Sequence, residues 1–143
     1  MIITLDTSAL FRALYSKRGA SFDILQWIGQ RKVTLALTVP VFFEYEDVLS
    51  RLESLNAFAL TQDDVDAVLD MLVLVGVAHN VSYLLRPNLP DEGDNLFVEC
   101  AFVSQSEYLI TNNTRDFVQG ELKLPFEVCT PREFYHQWRH DYE

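Results

Sequence analysis

The chain has 143 residues, enough for one domain (residues 1–143) around a single hydrophobic core. Apolar residues make up 49% of it, and glycine and proline number only 5 each, which excludes a disordered, fibrous or linker-rich chain. The 21 Asp and Glu outnumber the 11 Lys and Arg, and a formal charge of −10 argues against binding nucleic acid through a broad basic face.

In chain order, Ile2-Ile3-Thr4-Leu5 is a short β-branched apolar run, read as a buried parallel strand ending at Asp6. Thr7 or Ser8 is placed to cap a helix carrying Leu10, Phe11 and Leu14. Ser21–Gln30 predicts a second helix with Phe22, Leu25 and Ile28 on one face. Val33–Val39 reads as a strand. Pro40 then starts a third helix reaching to about Leu52, with Val41, Tyr45, Val48 and Leu52 sharing a face. Thr61 opens an acid-capped helix whose apolar stripe is Val65, Val68, Leu69, Leu72 and Val73, and Gly76 stops it. Val77–Leu85 holds a short strand, and Arg86–Gly93 is a loop broken by Pro87, Pro90 and Gly93.

Asp94–Ser104 predicts another helix, Tyr108-Leu109-Ile110 a buried strand, and Thr111-Asn112-Asn113 its polar exit. Phe126–Cys129 is a last strand. Thr130-Pro131-Arg132-Glu133 is a capping box that begins a closing helix with Phe134 and Trp138 four residues apart. Cys100 and Cys129 fit no metal spacing and read as buried thiols. The N-terminus lacks the pattern of a signal peptide and no apolar run is long enough to span a bilayer, so the expected location is cytoplasmic.

Short apolar strands alternating with helices define an α/β fold with a mainly parallel central sheet, whose ligands bind outside the carboxyl ends of the strands. Asp6 sits at such an end. Glu44 flanks the apolar stripe of the third helix, while Glu46 and Asp47 point further out. Asp94 opens a helix, Glu99 lies about 140° around that helix from it, and Asp116 follows the exit of the Tyr108–Ile110 strand. Acids from separated segments that meet at one sheet end repel each other unless protonated or bound to cations. Hard oxygen ligands select Mg²⁺ or Mn²⁺, and a carboxylate cluster holding such ions cleaves phosphodiesters. No GxSxG, Walker A or dinucleotide-binding glycine motif occurs.

Four segments in order carry a family resemblance. They are Leu5-Asp6-Thr7-Ser8, Glu44-Tyr45-Glu46-Asp47-Val48-Leu49, Asp94-Asn95-Leu96-Phe97-Val98-Glu99-Cys100-Ala101, and Tyr108-Leu109-Ile110-Thr111 leading to Arg115-Asp116-Phe117. Each alone is common; the ordered set resembles the PIN-domain family, and within it the VapC-like toxin components of bacterial toxin–antitoxin pairs. The resemblance spans nearly the whole chain. It implies a three-layer α/β/α sandwich and a Mg²⁺- or Mn²⁺-dependent endoribonuclease, with a homodimer and a cognate antitoxin as partners.

By that resemblance Asp6, Glu44 and Asp94 match the first three family acids. The family often places an aspartate two residues after the strand-ending threonine, where this sequence has Asn113; Asp116 would then supply the fourth carboxylate, with Asn113 beside it. Ser8 would match a hydroxyl position next to the site, and Glu99 is an additional ligand or supporting group. Arg12 and Arg115, close in sequence to Asp6 and Asp116, are the first candidates for RNA contact. The aromatic segment Phe134, Tyr135 and Trp138 is either a dimer contact or a core helix. Two other readings stand beside this one: a PIN-like protein-interaction module without catalysis, and an enzyme acting on a small phosphate ester.

The acidic balance sharpens the first reading. Setting Asp6, Glu44, Asp94, Glu99 and Asp116 aside as a site still leaves more acids than bases. RNA would then bind mainly through metal and a few local arginines, and an inhibitory partner would carry complementary basic residues.

Overall fold

The computed structural model describes residues 1–81, 95–117 and 124–143. The predicted loop Arg86–Gly93 and the helix start at Asp94 lie outside the described residues, as does the end of the predicted Val77–Leu85 strand.

Among the described residues, five strands form one sheet: β1 (Ile2–Leu5), β2 (Thr34–Leu37), β3 (Val77–Ala78), β4 (Tyr108–Ile110) and β5 (Glu127–Cys129). Their order is β3-β2-β1-β4-β5, and every pairing is parallel, so the expected mainly parallel sheet is parallel throughout the described residues. Parallel neighbours need crossovers, which α1 (Thr7–Tyr15), α2 (Ala20–Gly29), α3 (Val39–Leu49), α4 (Leu52–Phe58), α5 (Gln62–Val75), α6 (Asn95–Val103) and α7 (Pro131–Tyr142) flank or supply.

Successive strand side chains point to opposite faces, and β1 shows both. Thr4 is fully buried toward α6, its Oγ1 donating to Cys100 Sγ at 3.7 Å and hydrogen-bonded to Ser106 Oγ at 2.9 Å. Leu5 instead meets Ala9 of α1 and Ile24 of α2. Helices therefore cover both faces, giving the three layers the resemblance implies. On the α2 side, Trp27 stacks on Tyr135 at 5.6 Å and meets Phe134 and Tyr142. Phe134 is fully buried and packs edge-on against Tyr108, so the C-terminal aromatic segment is largely spent on the core. Both cysteines are free and buried, and burial pushes the Cys100 thiol up to about 11 and the Cys129 thiol up to about 12.

Four local expectations change. Asp6, not Thr7 or Ser8, caps α1 through its side chain. The second strand stops at Leu37, because Thr38 caps α3 and Val39 already belongs to that helix. The third helix ends at Leu49. After Ser50 and Arg51 the chain turns into α4, held by Ser54 Oγ donating to Val48 O at 2.7 Å and by Phe58 packing on Phe11 at 4.7 Å. Leu52 thus leaves the α3 stripe and is 72% exposed. Val73 is likewise exposed, while Val65, Leu69 and Leu72 make the buried face of α5.

Gly76 caps the C-terminus of α5, where a Cβ would stand 2.6 Å from Leu72 O and 2.8 Å from Leu37 Cδ1. Gly76→Ala is therefore expected to cost about 1–3 kcal/mol by overpacking, read as a lower urea midpoint. An unchanged midpoint would show that the α5–β3 turn relaxes freely. Among the described residues, no helix is long and apolar enough to cross a membrane.

Candidate active site

The parallel register aligns Leu5 with Ile110, and Asp6 N donates to Ile110 O at 3.0 Å, which brings the residues following β1 and β4 side by side. Asp6 is 4% exposed. Its Oδ1 accepts from Ser8 Oγ at 2.7 Å and from Ala9 N at 3.0 Å, and its Oδ2 accepts from Thr111 Oγ1. A carboxylate has about four acceptor positions, so about one is left unfilled by the bonds among the described residues.

The β4 exit is tied into the same network. Thr111 Oγ1 accepts from Asn113 N at 2.9 Å, Ser8 Oγ accepts from Asn112 N at 3.1 Å, and Asn112 Nδ2 donates to Ser8 O at 3.1 Å. A 3-10 turn over Thr114–Phe117 follows, with Asp116 N donating to Asn113 O at 2.9 Å. Burial raises the Asp6 pKa above its ordinary value, the hydrogen bonds from Thr111, Ser8 and Ala9 oppose this, and the charge of Asp116 raises it further. The charge of Asp116 thus reaches Asp6.

On the α6 side, Tyr45 is fully buried and its hydroxyl donates to Leu5 O at 2.5 Å, fixing α3 against the end of β1. Burial drives the Tyr45 phenol well up, with the charges of Cys100 and Asp6 adding to the effect, so Tyr45 stays a neutral donor. Glu44 precedes it on α3 and is half-buried, flanking the apolar stripe as its spacing predicts, while Glu46 and Asp47 are exposed.

The predicted site residues therefore divide. Asp6, Ser8, Asn113 and Asp116 come together around the β1 and β4 ends. Arg12 and Asn113 both line a cavity of about 490 Å³ with Ser8, Asn112, Phe11 and Tyr15. Glu44 enters none of these hydrogen bonds, Glu99 is buried within α6, and Arg115 is exposed on the 3-10 turn. Asp94 lies outside the described residues. Among the described residues, no three His, Cys, Asp or Glu side chains gather closely enough to hold a metal ion. Sequence reading overlooked Thr111 as a partner of Asp6. Its signal was a hydroxyl on the first residue after a fully apolar strand, a position that parallel pairing buries.

Among the described residues, a five-stranded parallel sheet with a buried aspartate at the carboxyl end of its central strand defines an α/β protein, a class whose ligands bind at the strand ends. The PIN domain family model matches residues 3–115, and the chain belongs to that family. Among solved structures, the chain is similar to VapBC2 from Rickettsia felis bound to a DNA fragment from their promoter. The TM-score is 0.59 at 16% identity, covering 91% of this chain and 98% of that one. This likeness concerns the fold. No protein of curated function matches the sequence.

Proposed function

We propose that the chain is a Mg²⁺- or Mn²⁺-dependent endoribonuclease that hydrolyses RNA phosphodiester bonds, and that it is the toxin of a toxin–antitoxin pair. PIN domains are generally nucleases and typically use divalent metals. The observation that carries the reading is Asp6: a buried carboxylate with about one acceptor position unfilled among the described residues, within reach of the charge of Asp116. Such a group is uncomfortable alone and suits a hard cation.

Asp6, Glu44, Asp94 and Asp116 would hold the ion, with Glu99 in support. When bound, it would supply a water of lowered pKa for in-line attack and neutralise charge on the phosphate oxygens. The chain's own residues provide the rest. Ser8, Ala9 N–H and Thr111 hold the Asp6 carboxylate in one orientation. Asn113 and Arg12 border the cavity next to it, where RNA would lie, and Arg115 supplies a further positive charge. A cognate antitoxin belongs to the same reading through the likeness to the VapBC2 structure, and a homodimer through the resemblance to VapC-like toxins alone.

A second reading, a PIN-like interaction module without catalysis, is favoured by Asn113 standing where the family often has an aspartate and by the charge of −10. Incubation with labelled RNA separates the two. Cleavage is expected with Mn²⁺ and lost with EDTA. Cleavage that persists in EDTA would sink the metal mechanism, and intact RNA at every metal concentration would favour the interaction module.

A further inference from the structure

A second cavity, of about 280 Å³, opens between α1, α2 and α7 at the same end of the sheet. Arg12, Asn112, Ser21 and Arg132 line it, together with Gly19, the N-cap of α2. Three independent features converge there. No side chain caps α2, a ten-residue helix, so its first-turn N–H groups and dipole are available to an anion. Ser21 is 5% exposed, and its hydroxyl is buried without a hydrogen-bond partner. A buried hydroxyl left without a partner is costly, and a ligand oxygen would relieve it. Arg12 and Arg132 are both exposed and form no ion pair among the described residues, in a chain of charge −10. Asp23, the acid in the first turn of α2, does not line the cavity; burial and the charge of Glu143 raise its pKa.

The cavity adjoins the candidate active site. Arg12 and Asn112 line both cavities, and Asn112 N donates to Ser8 Oγ, which donates to Asp6. We propose that this second cavity seats a backbone phosphate of the RNA next to the scissile one, held by Arg12, Arg132, Ser21 and the N-terminus of α2. The proposal rests on the ribonuclease reading and names where its substrate's neighbouring charge is bound. A strand carrying one phosphate at Asp6 must continue past it, and the shared lining leads into this cavity.

The test compares wild type with Arg132→Gln, Ser21→Ala and a control, Arg31→Gln, which removes the same charge beyond the other end of α2. With Mn²⁺, Arg132→Gln is expected to raise KM for a single-stranded hexaribonucleotide about ten-fold, leaving kcat within about two-fold. On a dinucleoside monophosphate, which has no second phosphate, the KM effect should vanish. In EDTA, anisotropy of a fluorescein-labelled hexaribonucleotide should show weaker binding by Arg132→Gln, with a salt slope shallower by about 0.7. Ser21→Ala should weaken this binding about two-fold without lowering Tm, since its hydroxyl has no protein partner to lose. Arg31→Gln should match wild type throughout.

If wild type cleaves RNA but Arg132→Gln behaves like Arg31→Gln, the subsite is wrong and the nuclease reading stands. If no RNA is cleaved yet binding depends on Arg132, the nuclease reading fails and the cavity stands only as a phosphate site for bound RNA. Equal KM effects on the hexamer and the dinucleoside monophosphate would also overturn the subsite.

Discussion

Asp6→Asn is expected to abolish RNA cleavage, by about a thousand-fold or more, while making the metal-free protein more stable near pH 7. The first effect follows from removing the buried charge at the end of the central strand that, under the proposed function, would hold the ion. The second follows from linkage. Burial and the neighbouring charge of Asp116 raise the Asp6 pKa above the ordinary aspartate value of 3.8. A raised carboxyl contributes its stabilisation fully below the unfolded value, where it is protonated in both states. That contribution is lost as pH rises through the folded value, because the native state must then hold a buried charge.

Asn keeps a neutral group of the same shape, whose oxygen can still accept from Ala9 N and Ser8. Thermal unfolding in EDTA should therefore give the variant a higher Tm than wild type at pH 7. The difference should close toward pH 3. Mn²⁺ should raise the Tm of wild type and leave the variant unmoved. A variant less stable than wild type in EDTA at pH 7 would mean that the Asp6 charge is not a source of strain.

Thr111→Val should lower kcat/KM about 10–100-fold, the usual penalty for losing a group that orients a ligating carboxylate. Thr111 touches neither substrate nor ion in this scheme; it is a positioning residue acting through Asp6 Oδ2. Two readouts separate that role from mere loss of stability. The hydroxyl donates to the charged form of Asp6 and so lowers its pKa; without it the pKa rises, and the acid limb of the pH–rate profile should move to higher pH. The concentration of Mn²⁺ giving half-maximal rate should also rise. Thr111→Ser keeps the donor and should restore both. If Thr111→Val leaves the acid limb and the Mn²⁺ requirement in place, the hydrogen bond has no part in the chemistry.

The importance of Asp6 is legible in the sequence, because a carboxylate directly after an apolar run in an α/β chain has few innocent explanations. The structure shows Asp6 capping α1, and the proposed function gives the same carboxylate a second role. The helix break after Leu49 is not legible there. No glycine or proline marks Ser50 and Arg51, and contacts such as the Ser54 hydroxyl on Val48 O and Phe58 on Phe11 reward the turn. Periodicity places Glu44 correctly at the edge of its apolar stripe. Where it stands relative to Asp6 depends on how α3 is pinned, and that pin is Tyr45 on the Leu5 carbonyl, a contact between residues 40 apart.

By itself, the sequence determined the alternation of strands and helices, the buried thiols, the acid-rich helix start at Thr61, the capping box at Thr130, and the acids at strand ends. All of these are local, set by residues within a few positions of one another. The tertiary structure decided which strand ends meet. Only the parallel register of β1 with β4 sets Thr111 against Asp6, 105 residues away, and only the gathering of α1, α2 and α7 puts Arg12, Ser21 and Arg132 around one cavity. Such pairings depend on strand order, and strand order is a property of the whole packed core that no local pattern encodes.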